Sequence, residues 1–363
     1  MKVLALNSSP RTGGESKTEL MLNSLVEGMR EAEAEVEVVD LRNKKINNCA
    51  GCFSCWTKTP GICIHKDDMT RELYPKWLAA DLVVYASPLY HFTVNATMKT
   101  FIERTLPVLE PFFLLHNGRT QHPLRANPPK MAVLSVAGFP EMSVFDQLSS
   151  WVNFIFGGDN PEKRALVAEI YRPMAEALTN PYFKEKAAGI LDATKQAGRE
   201  LATALTVSEE TLARVTQPMV DDPVSFLQLG NLMWKTCIAE GVTPREFGQK
   251  GLIPRPDSIE SYIELMKLGF NAAGAIGLHA KIQFNFSGDT QGACFLEIAD
   301  GTLKAEPGTI DCPDLTVNSP FDVWMDIITG TADGQQMFLD QRYKVEGDLA
   351  LLMQMEQMFG NRV

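Results

Sequence analysis

Val3-Leu4-Ala5-Leu6-Asn7-Ser8-Ser9-Pro10-Arg11-Thr12-Gly13-Gly14-Glu15-Ser16-Lys17-Thr18 is the stretch that decides the fold of the first half of this chain. The apolar run 3–6 reads as a buried strand that stops at Asn7. Residues 16–33 follow as a helix, with Leu22, Leu25, Val26 and Met29 on one face at i, i+3, i+4 and i+7. An anion in the intervening loop would meet backbone N–H groups, hydroxyls and the positive end of the helix together. Gly13 and Gly14 allow close backbone approach. Ser9, Ser16 and Thr18 offer hydroxyls, Arg11 a charge-assisted fork and Lys17 a point charge. In a chain of net charge −11, two cations here suit a phosphate. The loop is neither G-x4-G-K-[ST] nor G-x-G-x-x-G. The plainer alternative is an ordinary β–α turn with a capping serine.

Outward from this loop the grammar repeats. VEVVDL (36–41), LVVYAS (82–87), MAVLSVAG (131–138) and ALVAEIYR (165–172) read as further strands. Helices are expected over 93–106, with Val94, Met98, Phe101 and Ile102 on the buried stripe, and over 183–206. Strands apolar on both faces and separated by helices belong inside a parallel sheet. The expectation is an α/β, flavodoxin-like doubly wound sheet of five parallel strands over residues 1–206. Ligands in such sheets sit beyond the carboxyl ends of the strands. The third strand ends in Ser87-Pro88-Leu89-Tyr90-His91, with Tyr90 a stacking face for a planar ring. Ser135 to Gly138, at the end of the fourth, would reach the ring's other side.

S-S-P-R-T-G-G-E-S-K-T, C-x2-C-x2-C running on to C-I-H-K-D-D-M, S-P-L-Y-H, M-K-T-F-I-E-R and A-E-I-Y-R-P together resemble the NADPH-dependent FMN reductase and iron–sulfur flavoprotein group over roughly residues 1–200. The resemblance implies FMN phosphate contacts from Ser9, Arg11, Ser16 and Thr18. It implies flavin-ring contacts from Pro88, Leu89, Tyr90 and His91, with further contacts near Ser135 and Gly138. Lys17 is added to the phosphate set from its charge. Where such relatives often carry an Asn-Thr pair, this chain has Ser16-Lys17-Thr18.

Four of the seven cysteines, Cys49, Cys52, Cys55 and Cys63, fall in the pattern C-x2-C-x2-C-x7-C. Three thiols at three-residue intervals and a fourth one loop away can converge on one cubane. The resemblance implies a [4Fe–4S] cluster exchanging electrons with FMN. Two other readings stand beside it. The cysteines can pack the loop or act as redox thiols without a cluster, as in plain flavin reductases, and they can bind zinc, although structural zinc sites usually pair their cysteines. Trp56 and His65 are expected to be packing and surface residues. Cys237, Cys294 and Cys312 are expected to be buried fillers.

Residues 207–256 carry Pro218, Pro223, Pro244, Pro254 and Pro256 and a helical stretch near 224–240, which reads as a tail and linker. From 257 the chain reads as an α+β domain. SYIELMKLGFNAAG is helical, and KIQFNFS (281–287) and ACFLEIA (293–299) are strands joined by a hairpin turn. TLKAEPG and LTVNS follow, then a helix from Pro320 with Ser319 as N-cap and Gly330 as C′ stop. YKVEG and a Leu- and Met-rich last helix complete it. These stretches resemble the sterol carrier protein type-2 domain, which implies a five-stranded sheet, helices on one face and an apolar tunnel for a lipid-like ligand. Met-rich surfaces adapt to variable apolar ligands, although the same residues also serve as core filler. Residues 279–363 carry 13 Asp/Glu against 5 Lys/Arg, which argues against docking on anionic bilayers.

The 363 residues suit two domains. No apolar run has the length of a membrane span, and the acidic balance argues against a nucleic-acid partner. No export signal is seen, so a reducing cytoplasm is expected. The first functional expectation is an NAD(P)H-dependent FMN oxidoreductase, using NADPH or NADH and a small, quinone-like acceptor, in a homodimer or higher assembly. The second is an electron carrier serving a ferredoxin-like partner, and the third a binding module for an apolar ligand.

Overall fold

A computed structural model describes residues 1–116, 118–157, 164–220 and 222–359. The last four residues of the domain expected over 257–363 therefore lie outside the described residues. The chain divides into two units, Met1–Met219 and Val220–Val363.

In the first unit β1 (Lys2–Asn7) leads to α1 (Lys17–Glu31) and β2 (Glu35–Asp40). After the cysteine segment come α2 (Tyr74–Ala79), β3 (Leu82–Tyr90), β4 (Thr93–Val94) and α3 (Ala96–Glu103). A small hairpin, β5 (Leu114–His116) with β6 (Arg119–Gln121), precedes β7 (Lys130–Val136), α4 (Asp146–Val152), β8 (Leu166–Arg172), α5 (Lys184–Ala204) and α6 (Glu209–Thr216). The main sheet runs β2-β1-β3-β7-β8, all parallel, with β4 folded back antiparallel on β3. Counting only the parallel strands, that is the 2-1-3-4-5 order of flavodoxin-like sheets, and its switch point lies between β1 and β3. The five expected parallel strands are all present. The helix expected from residue 93 starts at Ala96, because Asn95 caps it and residues 93–94 pair with β3. The helical turn over 69–79 was not foreseen; its short apolar run lacks a clear period.

One layer of core, with Leu4, Leu6, Trp77, Tyr85, Phe101 and Leu148, lies between the sheet and α2 to α4. Trp77 Nε1 donates to the Tyr85 hydroxyl at 2.8 Å, so the indole N–H buried in that layer is satisfied. On the other face α1 presents Met21, Leu22, Leu25, Val26 and Met29, all buried, and packs against α5.

The segment expected as a linker is mostly helical. α6 packs on α5, and its end is held by the buried Arg172, which donates to the carbonyls of Val215 and Gln217, both at 2.8 Å. Burial lowers the Arg172 pKa to about 10.

In the second unit α7 (Pro223–Glu240), α8 (Pro244–Gln249) and α9 (Ile259–Gly269) precede a five-stranded sheet. Its strands are β9 (His279–Ser287), β10 (Gly292–Ala299), β11 (Thr302–Pro307), β12 (Leu315–Pro320) and β13 (Lys344–Gly347), in the order β11-β10-β9-β12-β13. α10 (Phe321–Ile328), α11 (Gly334–Leu339) and α12 (Leu349–Phe359) complete it. An aromatic cluster of Tyr262, Phe284, Phe286, Phe321, Trp324 and Tyr343 fills its core. Two expectations fail here. Ser319 is a strand residue whose hydroxyl donates to the Pro320 carbonyl, and α10 starts at Phe321 without a side-chain cap, because Pro320 remains extended. Cys312 is exposed in a left-handed turn, whereas Cys237 and Cys294 are buried as expected. Gly330 does close α10, at φ 74°.

Candidate functional site

The loop after β1 is pinned where the strand order reverses. The Ser8 N–H donates to the Ala86 carbonyl at 2.9 Å, and Asn7 Oδ1 accepts the Ser9 N–H at 3.0 Å. Asn95 Nδ2 reaches the Ser8 carbonyl at 2.6 Å, while the Asn95 N–H donates to the Ser87 hydroxyl at 3.0 Å. Arg42, from the turn after β2, donates to the Arg11 carbonyl at 2.8 Å and to the Ser9 carbonyl at 3.3 Å. The loop is thus fastened from three neighbouring segments before any ligand arrives.

Ser9, Ser16 and Thr18 are all at most 2% exposed. Ser16 is the N-cap of α1, its hydroxyl accepting the Glu19 N–H at 3.0 Å. The Ser9 hydroxyl accepts the Arg11 N–H at 3.3 Å. Gly13 and Gly14 have φ of 66° and 82°, and the space where a Cβ would stand is open at both. Arg11 and Lys17 converge on one carboxylate, Glu176, at 2.5 and 3.2 Å. Burial would raise the Glu176 pKa, but the hydrogen bond from Arg11 and the two positive charges outweigh it and hold the carboxyl below its ordinary range. An anionic group therefore already stands between the two cations that the sequence singled out.

The second edge of the site is the end of β3. Pro88 is buried and Leu89 half-buried against the core, whereas Tyr90 and His91 are exposed. Tyr90 lies within electrostatic reach of Arg11, so the β3 end and the loop after β1 face one another. His91 and Phe92 have φ of 48° and 61° and make the two-residue turn into β4. Left-handed backbone at two successive residues with side chains is strained. The third edge is β7. Ser135 is fully buried, and its hydroxyl has no hydrogen-bond partner among the described residues. Gly138 is exposed, with open space at its missing Cβ. All the residues expected to touch a flavin lie on these three adjacent strand ends, except that Pro88 and Leu89 spend their side chains largely on packing.

Residues that sequence reasoning did not single out are Asn7, Arg42, Asn95 and Glu176. Asn95 was findable as a capping residue before a helix. Arg42 and Glu176 carry no local signal, because they act across 31 and 165 residues of chain.

The cysteine segment lies between β2 and α2. Cys49, Cys52, Cys55 and Cys63 line one small cavity of about 20 Å³. Hydrogen bonding from Ser54 lowers the pKa of the exposed Cys52, whereas burial raises that of Cys55. Among the described residues no group of three or more His, Cys, Asp or Glu is arranged to hold a single metal ion. Trp56 packs between Phe53 and His122, at ring centroid distances of 5.0 and 4.7 Å, as a packing residue should. His65 is half-buried rather than a surface residue, and its Nε2 is enclosed without a partner.

Residues 1–156 match the NADPH-dependent FMN reductase family, and residues 271–360 match the SCP-2 sterol transfer family. An iron-sulfur flavoprotein of Archaeoglobus fulgidus is 41% identical over 107 residues, 30% of this chain and 46% of the relative. An iron-sulfur flavoprotein of Methanocaldococcus jannaschii is 38% identical over 109 residues, 30% of this chain and 52% of the relative. An FMN-dependent NADH:quinone oxidoreductase of Azospirillum brasilense is 33% identical over 112 residues, 29% of this chain and 53% of the relative. The chain spans about half the length of the curated relatives it matches. Among the described residues no helix is long and apolar enough to cross a membrane.

Proposed function

We propose that this chain, whose residues 1–156 match the NADPH-dependent FMN reductase family and whose residues 271–360 match the SCP-2 sterol transfer family, is an FMN-dependent NAD(P)H oxidoreductase that passes electrons to a small acceptor. The observation that carries this reading is the loop after β1. It combines a capped helix N-terminus, three buried hydroxyls and two cations at the switch point of a flavodoxin-ordered sheet.

The residues present fit an FMN. Ser9, Ser16 and Thr18, with Arg11 and Lys17, would form the phosphate cradle, where Arg11 and Lys17 would exchange the Glu176 carboxylate for the phosphate. Tyr90 and His91, exposed at the end of β3, would contact the ring, and Pro88 and Leu89 would shape the strand end that carries them. The Ser135 hydroxyl, buried and without a partner among the described residues, would supply a hydrogen bond from β7, and the open space at Gly138 would leave room for the ring. Bound FMN would supply the hydride-accepting ring, and the chain's part is to hold it and keep it accessible to a nicotinamide and an acceptor.

The test is direct. Purified protein should release stoichiometric FMN, and anaerobic NADPH or NADH should bleach the flavin within seconds. Arg11→Ala with Ser16→Ala should lose the yellow colour. A folded double variant that keeps its full flavin would end this reading.

A second reading, an iron–sulfur electron carrier serving a ferredoxin-like partner, is favoured by one observation: all four motif cysteines line one cavity. In that reading Cys49, Cys52, Cys55 and Cys63 ligate a [4Fe–4S] cluster, which would relay single electrons. Bleaching by reduced ferredoxin but not by NAD(P)H would select it. Iron and sulfide assays on anaerobically purified protein test the cluster itself.

The second unit we assign to an apolar ligand. α12 buries Leu351, Met355 and Met358 yet exposes Leu349 and Met353, which gives an adaptable apolar surface. An apolar fluorescent probe should bind the full chain, and Met353→Asp should weaken it. A homodimer is supported by Phe112, Phe113, Leu115 and Phe154, each at least 65% exposed, with Arg119 lying over the Phe154 ring. Light scattering should return twice the 40.2 kDa chain mass.

A further inference from the structure

Arg104 caps the C-terminal end of α3 and is 2% exposed. Its two terminal nitrogens close the base of the cysteine segment. Nη1 donates to the Asn47 carbonyl at 2.6 Å and to Asp67 Oδ2 at 2.7 Å, and Nη2 donates to Asp67 Oδ1 at 3.1 Å and to the Thr70 hydroxyl at 3.0 Å. Asp67 in turn accepts the Asn47 N–H at 2.8 Å. Residues 47 and 67 are thus clasped together, and the cysteines lie in the loop between them.

That clasp uses four of the five N–H groups of the guanidinium. The fifth, on Nε, is buried and makes no well-aligned hydrogen bond among the described residues. Arg104 and His65 line the same cavity as Cys49, Cys52, Cys55 and Cys63, and Cys63 lies within both electrostatic and hydrogen-bonding reach of the guanidinium. His65 Nε2 is also buried without a partner. Buried polar groups are nearly always satisfied, so a guanidinium turned toward Cys63 and a buried imidazole nitrogen beside four sulfurs point to sulfur as the acceptor that this wall is built to meet.

We propose that Arg104 is a tuning residue for the four-cysteine site, donating its Nε–H to a sulfur of the iron–sulfur cluster held there and thereby raising the cluster's reduction potential. This rests on the reading of the four cysteines as cluster ligands. A hydrogen bond to a cluster sulfur favours the more electron-rich state, and a cation in a dry wall adds to it. Lysine at this position would keep the charge but could not hold both ends of the loop and face the sulfurs together, because its three donors share one atom.

The experiment is an anaerobic redox titration followed by electron paramagnetic resonance, on full-length wild type, Arg104→Lys and Thr70→Val. Thr70→Val removes one strand of the clasp and leaves Nε–H in place. R104K should shift the reduction equilibrium about tenfold toward the oxidised cluster, about 59 mV for one electron, while T70V should keep the wild-type potential. Iron-loaded R104K at the wild-type potential would overturn the proposal and leave Arg104 a clasp only. Should R104K fail to load iron, nitrogen-15 arginine labelling of Arg125→Lys, which retains Arg104 but removes a second arginine next to the loop, reads the contact directly. A nitrogen-15 coupling to the reduced cluster supports the proposal, and its absence overturns it. Wild type without iron and sulfide would sink the cluster reading itself, a different outcome from an iron-loaded protein with an untuned potential.

Discussion

Glu176 occupies the place of an anion between Arg11 and Lys17, and the site's affinity depends on how easily it leaves. Its side chain and that of Arg11 are each about half exposed, at 53% and 49%. An exposed pair of this kind contributes at most about 1 kcal/mol. Glu176→Gln should therefore tighten FMN binding by up to about fivefold, measured by fluorescence quenching on titration of apoprotein. Weaker binding would mean that Glu176 helps to hold the cofactor. Asp67 is the opposite kind of residue, fully enclosed with Arg104. Burial alone would raise its pKa, but the Arg104 fork and the N–H groups of Asn47 and Thr70 prevail and hold the carboxyl far below its ordinary range. A folded value below the unfolded one means that the pair's stability is present above about pH 4 and is lost as pH falls further. Asp67→Asn should cost about 3–5 kcal/mol at neutral pH. In urea titrations the gap to wild type should narrow as the pH drops below about 4.

At the scale of elements, the tightest fit is between α1 and α5. A Cβ on Gly28 would collide with the Lys195 carbonyl oxygen, and one on Gly198 with the Leu25 carbonyl oxygen, so the two helices approach through a reciprocal pair of glycines. Gly198→Ala forces them apart and should cost about 1–3 kcal/mol, read as a lower denaturation midpoint with an unchanged slope. The β3–β4 turn carries the reverse sign. Phe92 sits at φ 61° in a two-residue turn that favours Asn and Gly. Phe92→Gly should stabilise the first unit by about 1 kcal/mol in the absence of flavin. No gain would show that the Phe92 side chain repays its strain by packing.

At the scale of the molecule, charge is divided unevenly. Residues 1–219 hold 25 acidic and 24 basic side chains, and residues 220–363 hold 20 acidic and 10 basic. Nearly all of the net charge of −11 therefore resides in the second unit. A nearly neutral first unit does not oppose a dianionic phosphate, whereas the second is repelled by anionic bilayers. Flotation with vesicles at low salt should recover no more protein on anionic than on neutral lipid. Preferential capture by anionic vesicles would show that local patches override the net charge.

The sequence by itself determined the alternation of strands and helices, because a strand apolar on both faces and a helix with one apolar stripe are local periodic patterns. It also determined the loop after β1, where Ser16 and the two glycines are properties of neighbouring residues, and the spacing of the four cysteines. It missed the start of α10 because Pro320 extends the strand rather than opening the helix, and it misjudged Cys312 because burial depends on what a turn packs against. Only the tertiary structure decided that Arg42 would fasten the loop, that Glu176 would stand between Arg11 and Lys17, and that Arg104 would clasp the ends of the cysteine segment. These are contacts between residues tens to more than a hundred positions apart. A chain's local pattern fixes which way a side chain faces, but the partner it meets there is chosen by how the sheet brings distant strand ends together.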